Sequence, residues 1–221
     1  MKDKVEPEPL ILPDGIRLLR PDDVPIHDDR DKILEEVAAS HRARFTAGYV
    51  LTETRAERGF AAYAEINVHA PQVWHLFGSL VATLLPEHAA LLIGVKDGDL
   101  YHRPYRSKPA LLRALEAYGE ALARDTFVQF GLIWQRSGRT EEVFVEPAKY
   151  LKVWTNRPAL LAQVLAQAGL NQAERLEFLD QYPRATEAVS HPPEMYRYEE
   201  LIERVLAADG ELPEAVHPGS R

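Results

Sequence analysis

The chain has 221 residues, of which 46% are hydrophobic and 27% charged, and its formal net charge is −8. This composition excludes a disordered chain, whose apolar content is too low to build a core. The absence of cysteine excludes disulfides, thiolate metal sites and a cysteine nucleophile, and it suits a reducing compartment.

The negative charge is concentrated at the two ends. Residues 1–40 carry −5, residues 41–172 carry +3 and residues 173–221 carry −6. Nucleic-acid binding requires concentrated Lys and Arg, so the acidic ends argue against it and favour a basic partner. No run approaches the roughly 20 apolar residues of a membrane span, and the apolar run before Pro13 is too short for a signal peptide. We therefore expect a cytoplasmic protein without a membrane contact.

The first third of the chain changes from an arm to regular structure. Residues 1–28 combine five prolines with many acids, and proline removes backbone donors, which predicts an extended arm. Over residues 29–45, the spacing of Ile33, Val37 and His41 predicts a helix. Residues 48–54 and 61–69 are rich in strand formers, and polarity alternates over residues 63–68 of the second run, which predicts a hairpin with one buried face.

Two units of a helix followed by a hairpin occupy the middle of the chain. In the first, residues 71–105, Pro71 opens a helix that Pro86 ends, and the Asp97-Gly98 step marks the hairpin turn. In the second, residues 107–146, Ser107 is a good N-cap and the turn lies at residues 136–139. A strand at residues 150–154 and a helix at residues 158–168, ended by Gly169, follow.

The last third carries the apolar spacing of two more helices, at residues 172–181 and 198–208. The successive hairpins predict an α+β fold, in which helices pack on an antiparallel sheet and the helix–hairpin unit occurs twice. The predicted organisation is an extended Pro-rich acidic arm over residues 1–28, a single α+β domain over residues 29–208 and a flexible tail over residues 209–221.

Motifs that carry catalysis are missing from the sequence. It has no phosphate-binding loop, no dinucleotide-binding glycine motif, no nucleophile elbow and no H-E-x-x-H pattern. His69 and His75 come closest to a ligand or acid–base pair and, with Glu65, form the centre of an alternative reading as a hydrolase-like enzyme. We expect no metal and no cofactor.

Two further patterns have ordinary structural explanations. Glu65, Asp97, Glu146 and Lys149 could be drawn as a nuclease-like site, but the close acidic-x-lysine pair of such sites is missing. Residues 101–108 interleave aromatic with basic side chains, as nucleic-acid surfaces do, and the same pattern is typical of an edge strand leading into a helix.

The stretch from Ala61 to Gly169, which includes EEVFVEPAKYLKVWTN at Glu141–Asn156, resembles small acidic immunity proteins of bacterial polymorphic or contact-dependent toxin systems. The resemblance covers about half of the chain. Because that group shares no universal motif, no functional residue is carried over. The resemblance implies a cytoplasmic protein that binds a cognate protein toxin and blocks its action, and acidic surfaces speed association with a basic partner.

These observations favour a non-catalytic binding protein. The hydrolase-like enzyme stays open as an alternative, as does a regulatory module that self-associates through an exposed strand edge. The binding hypothesis places the partner contact on acids of the two terminal blocks: Asp22, Asp23, Asp28, Asp29, Glu199, Glu200 and Glu203.

Overall fold

The computed structural model of the protein describes residues 8–26, 28–54, 59–189 and 197–212. The strands in these ranges are β1 (Ile16–Leu18), β2 (Gly48–Glu53), β3 (Ala62–Asn67), β4 (His88–Val95), β5 (Leu100–Ser107), β6 (Val128–Arg136), β7 (Arg139–Val145), β8 (Leu151–Thr155) and β9 (Arg184–Thr186). The helices are α1 (Arg30–Ser40), α2 (Val73–Leu84), α3 (Lys108–Glu116), α4 (Gly119–Arg124), α5 (Pro158–Gln167) and α6 (Tyr198–Gly210).

Seven of the strands form one antiparallel sheet in the order β2-β3-β8-β7-β6-β4-β5. The predicted hairpins β2-β3, β4-β5 and β6-β7 are all present, and the two helix–hairpin units lie in tandem. The predicted α+β fold, with helices packed on an antiparallel sheet, is therefore confirmed. Ser137 and Gly138 both adopt positive φ, which a two-residue hairpin turn requires.

The core lies between the sheet and the helices α2, α3, α5 and α6. The side chains of α2 supply one stripe of it, since Phe77, Leu80 and Leu84 recur at helical spacing and are fully buried. Pro71 lies in a 3-10 turn that leads into α2, and the helix stops just before Pro86. The predicted second helix is divided into α3 and α4, and a Cβ at Gly119 would clash with the ring of Trp74.

The N-terminal arm packs along the edge of the domain, where Asp14 pairs with Arg124 of α4, and it continues to the side of the sheet away from the helices. Its strand β1 pairs with β9 to form a two-stranded sheet, and Ile16 joins Tyr150 and Phe178 in a second, smaller core. The arm is held at both ends: the amide of Leu10 donates to the carbonyl of Phe45, and that of Leu19 to the carbonyl of Pro183. The part of the arm that is described, residues 8–26, thus contributes structure to the domain.

One predicted helix is wrong. Residues 172–181 run without an α-helix and contain a 3-10 turn at Leu179–Gln181, after which β9 follows. The amide of Ala173 donates to the carbonyl of Tyr49, and the Asn67 side chain donates to the carbonyl of Glu177 at 2.9 Å. These contacts hold the segment along the sheet, where helical backbone bonds cannot form.

The ends of the predicted domain stay a prediction. At the C-terminal end, α6 runs to Gly210, two residues beyond the predicted boundary at residue 208, and Asp209 is buried. Residues 213–221 of the predicted tail and residues 1–7 of the arm lie outside the described residues. Within the described ranges, no helix has the length and apolar character needed to cross a membrane.

Candidate functional site

The seven-stranded sheet has two faces of different chemistry. Because side chains alternate along a strand, one face receives the apolar residues that meet the helices, and the other points away from them. We call this second surface the open face. In β3, for example, Ala64 and Ile66 belong to the core, whereas Tyr63 and Glu65 lie on the open face.

The strand register places a group of polar and aromatic side chains side by side on the open face. Tyr63 pairs with Trp154, which pairs with Glu142, and in the adjacent row Glu65 pairs with Lys152. Glu146 follows β7, and its carboxylate lies 2.7 Å from the Nζ atom of Lys152. We call these six residues the open-face cluster: Tyr63, Glu65, Glu142, Glu146, Lys152 and Trp154.

An aromatic ring forms the floor beside this cluster. Phe144 lies directly opposite Lys152 on one side and Gly131 on the other. A Cβ atom at position 131 would lie 2.6 Å from Cδ2 of Phe144, so the absence of a side chain lets the ring lie against the β6 backbone. Phe144 is buried at 7% exposure, although it belongs to neither hydrophobic core.

The aromatic residues of the cluster form a wall next to Glu142. The rings of Tyr63 and Trp154 lie with centroids 5.1 Å apart and an interplanar angle of 41°. Directly opposed residues of an antiparallel pair have their Cβ atoms about 5 Å apart. The Cβ atoms of Glu142 and Trp154 are therefore neighbours on the open face, and Ile133 lies opposite Glu142 on β6.

The three carboxylates of the cluster have different surroundings. Lys152 binds Glu146, and Glu65 lies two residues from Tyr63 on the same face of β3. Glu142 makes no hydrogen bond or ion pair with any residue in the described part of the chain. Burial, and secondarily the charge of Glu146, raise the pKa of Glu142 from 4.5 to about 7. A half-buried carboxylate without a counterion thus lies beside an aromatic wall.

A small polar cavity adjoins the cluster where the C-terminal segment crosses the open face. Its volume is about 190 Å³, and Glu146 belongs both to it and to the cluster. The hydroxyl of Tyr150 donates to Asp180 at 2.8 Å, and the Nζ atom of Lys96 donates to Thr186 at 3.3 Å. This network ties β9 and its preceding turn to the sheet.

The acids of the N-terminal block lie on the arm. Arg17 donates to the Asp23 carboxylate at 2.5 and 3.1 Å, and the amide of Arg20 donates at 2.7 Å. These bonds lower the pKa of Asp23 to about 2. Asp22 is exposed in the same turn, and Asp28 and Asp29 directly precede α1, with Asp29 at its N-cap position.

The acids of the C-terminal block lie on α6, which packs against α3 and β4. Glu200 pairs with Arg204 at 2.8 Å, the neighbouring Tyr198 hydroxyl lowers the pKa of Glu199, and Glu203 is exposed. The acids of the N-terminal block thus lie in the turn after β1 and at the start of α1, whereas those of the C-terminal block lie on α6, which packs on the helix side. The two blocks belong to different elements of the fold.

The three residues of the enzyme alternative are also apart. Glu65 lies on the open face, whereas His75 on α2 lines a cavity of about 480 Å³ beside Trp74. The Nδ1 atom of His69 accepts a hydrogen bond from the amide of Ile11 at 3.1 Å. Within the described ranges, no group of three or more His, Asp or Glu side chains has an arrangement that could hold a metal ion.

The nuclease-like set does not assemble either. Lys149 adopts a φ of 60° and is fully buried on the helix side, where its Nζ atom donates to the carbonyls of Leu122 and Val128 at 2.8 and 2.7 Å. Burial lowers the pKa of Lys149 to about 7. On the strip at residues 101–108, Arg103 and Arg106 both face the buried carboxylate of Asp209, which occupies them within the fold.

Sequence reasoning missed the open-face cluster, apart from Glu65 and Glu146, which appeared there in other combinations. The usable signal was the alternation of side chains along β3 and β8. It places Tyr63 and Glu65 on the same face of β3, and Lys152 and Trp154 on the same face of β8. The alternation does not reveal the order of the strands, which makes β3 the neighbour of β8.

No family model, no curated protein and no solved structure matches this chain.

Proposed function

We propose that this chain is a non-catalytic binding protein that holds a basic protein partner on the open face of its sheet. In the form that the resemblance to immunity proteins suggests, the partner is a cognate toxin that the chain neutralises. The observation that carries the proposal is the charge of the open-face cluster, where three glutamates share one lysine and Glu142 has no counterion among the described residues.

The composition of the cluster suits protein recognition. Tyrosine and tryptophan are enriched at the energetically dominant positions of interfaces, because they bury a large area and lose little conformational entropy. Carboxylates beside them select a partner of opposite charge and steer its approach. Tyr63, Trp154 and Glu142 are each partly exposed, so a partner can reach them.

The terminal acids remain a second location for the contact. Asp23 is already satisfied by Arg17, and Glu200 by Arg204. Exposed pairs of this kind contribute about 0–1 kcal/mol, so their carboxylates can be released to a partner at small cost. The open face and the α6 surface therefore make separate predictions for the same complex.

The test is copurification with the protein encoded beside this chain, followed by mass spectrometry and an assay in which this chain rescues cells that express the neighbour. We expect a stable complex whose affinity falls steeply with added salt. The variant Glu142→Lys/Glu146→Lys reverses charge on the open face, and Glu199→Lys/Glu200→Lys makes the matched change on α6. Loss of the complex with the first variant alone supports the open face, and loss with the second alone moves the contact to α6. If no basic partner is retained and no rescue occurs, the proposal is wrong.

A further inference from the structure

We infer that Glu142, together with the rings of Trp154 and Tyr63, forms a binding site for an arginine side chain of the partner. This inference rests on the proposed function and names the contact that would anchor the complex. It concerns the open face alone and does not involve the terminal acids.

The carboxylate of Glu142 requires a cation from outside the described part of the chain. Glu142 is half-buried between Trp154 and Ile133, and no described residue neutralises it. The nearest candidate within the cluster is Lys152, whose Nζ atom is bound to Glu146 at 2.7 Å and lies 5.4 Å from the centroid of Tyr150. A buried carboxylate without a partner costs free energy, and an incoming cation removes that cost.

A cationic side chain suits this site better than a metal ion does. A hard metal ion such as Ca²⁺ requires six or more oxygen ligands, and Glu142 supplies two. Of the other two carboxylates of the cluster, Glu146 is engaged by Lys152, and Glu65 lies in the adjacent row, opposite Lys152. A side-chain cation needs only one carboxylate, and it brings its own apolar stem to the floor formed by Phe144.

The aromatic rings next to Glu142 favour arginine over lysine. The guanidinium group is planar, it donates two parallel hydrogen bonds to one carboxylate, and it stacks on an aromatic face. Trp154 is the residue directly opposite Glu142 on β8, and the ring of Tyr63 lies beside the indole with a centroid distance of 5.1 Å. A cation over such a ring gains about 0.5–2 kcal/mol, and tryptophan is the best of the aromatic residues for this contact.

The experiment uses the whole, ¹⁵N-labelled protein and N-acetyl-arginine amide as the probe. The indole NH signal of Trp154 is identified by its absence in Trp154→Phe. We expect a saturable shift of this signal with a dissociation constant in the millimolar range, at least about tenfold weaker binding of the citrulline analogue, which has the same shape without the charge, and intermediate binding of the lysine analogue.

The variant Glu142→Gln keeps the shape of the side chain and removes its charge, and we expect it to abolish the preference for arginine over citrulline. Glu116→Gln on α3 makes the same change at an exposed site and leaves the preference intact. Because amide and indole signals of the free protein report folding, a misfolded variant is recognised directly. Equal shifts with arginine and citrulline, or an unchanged preference in Glu142→Gln, would overturn the inference.

The same variants separate this inference from the proposed function. If Glu142→Gln retains the copurified partner at wild-type affinity and the probe does not bind, the chain is a binding protein whose anchor lies elsewhere. If the probe binds at Glu142 and no basic partner is ever retained, the arginine-binding site exists and the proposed function is wrong.

Discussion

The helix face and the open face of the sheet belong to the same strands, yet their side chains differ in chemistry. The helix face is a continuous apolar layer in which Phe130, Leu91 and Val143 are completely buried. The open face places carboxylates, a lysine and aromatic rings next to one another and leaves Glu142 without a counterion in the described structure. Folding free energy therefore comes mainly from the helix face, whereas the open face retains groups that the fold does not need.

The largest effect is expected from the helix face. Phe130 contacts the rings of Trp74 and Phe77, with centroid distances of 6.4 and 5.0 Å. Phe130→Ala removes a fully buried ring and leaves a cavity, so we expect the free energy of unfolding in urea to fall by about 4 kcal/mol. Tyr101→Ala, at an exposed strand position, should cost about 0.5 kcal/mol or less. Comparable losses for the two variants would contradict the assignment of stability to the buried core.

The next effect concerns the attachment of α6. Asp209 accepts a hydrogen bond from Arg103 at 2.8 Å and lies 3.8 Å from Arg106, and its side chain is 1% exposed. Asp209→Ala leaves buried guanidinium charge behind, and we expect a loss of about 3 kcal/mol in thermal or urea unfolding. The matched control is Glu200→Ala on the same helix, which breaks an exposed pair with Arg204 and should cost about 0.5 kcal/mol. An equal cost for both variants would show that burial of the Asp209 pair does not matter.

A smaller effect is expected where the open face is tightly packed. The Cβ atom of Gly131→Ala would lie 2.6 Å from the ring of Phe144 and 2.7 Å from the carbonyl oxygen of Val143. We expect a loss of about 2 kcal/mol, together with weaker binding of the arginine probe because the floor beside Glu142 shifts. Gly131→Ala/Phe144→Leu should recover part of the loss. Gly78→Ala in α2, where a Cβ meets nothing within 4 Å, is the control and should be neutral or stabilising.

The smallest effect has the opposite sign. The pKa of Glu142 in the folded protein, about 7, lies above its ordinary value of 4.5. The associated stability is therefore fully present below pH 4.5 and is lost as the pH rises through 7. Because glutamine does not ionise, Glu142→Gln should be more stable than the wild type at pH 8, by about 1.5 kcal/mol after a discount for its exposed part. The difference should disappear at pH 4.

This last variant joins stability to function. A substitution that stabilises the fold and weakens the complex marks a residue kept for binding, since functional sites are where a chain departs from its stability optimum. Glu116→Gln should change neither quantity. A destabilised Glu142→Gln protein at pH 8 would show that the carboxylate has a structural partner and would remove the argument for the open face.

Local sequence signals predicted most of the fold because they act over short distances. The alternation in Ala62–Asn67 gave β3, the prolines flanking α2 gave that helix its ends, and the four-residue loop after Val95 closed the β4-β5 hairpin. The exception was the helix expected at residues 172–181. Its apolar spacing was genuine, but backbone bonds to Tyr49 and the Asn67 side chain hold the segment extended against the sheet.

Propensity, periodicity and composition are properties of neighbouring residues, and they account for most of the elements, the fold class and the acidic charge. Which of these elements lie side by side depends on the tertiary structure. The pairing of β3 with β8 places Tyr63 and Glu65 beside Trp154 and Lys152, and the acids of the two terminal blocks lie on different elements. Strand order is set by the packing of the whole chain around one core, so the open-face cluster has no local signature.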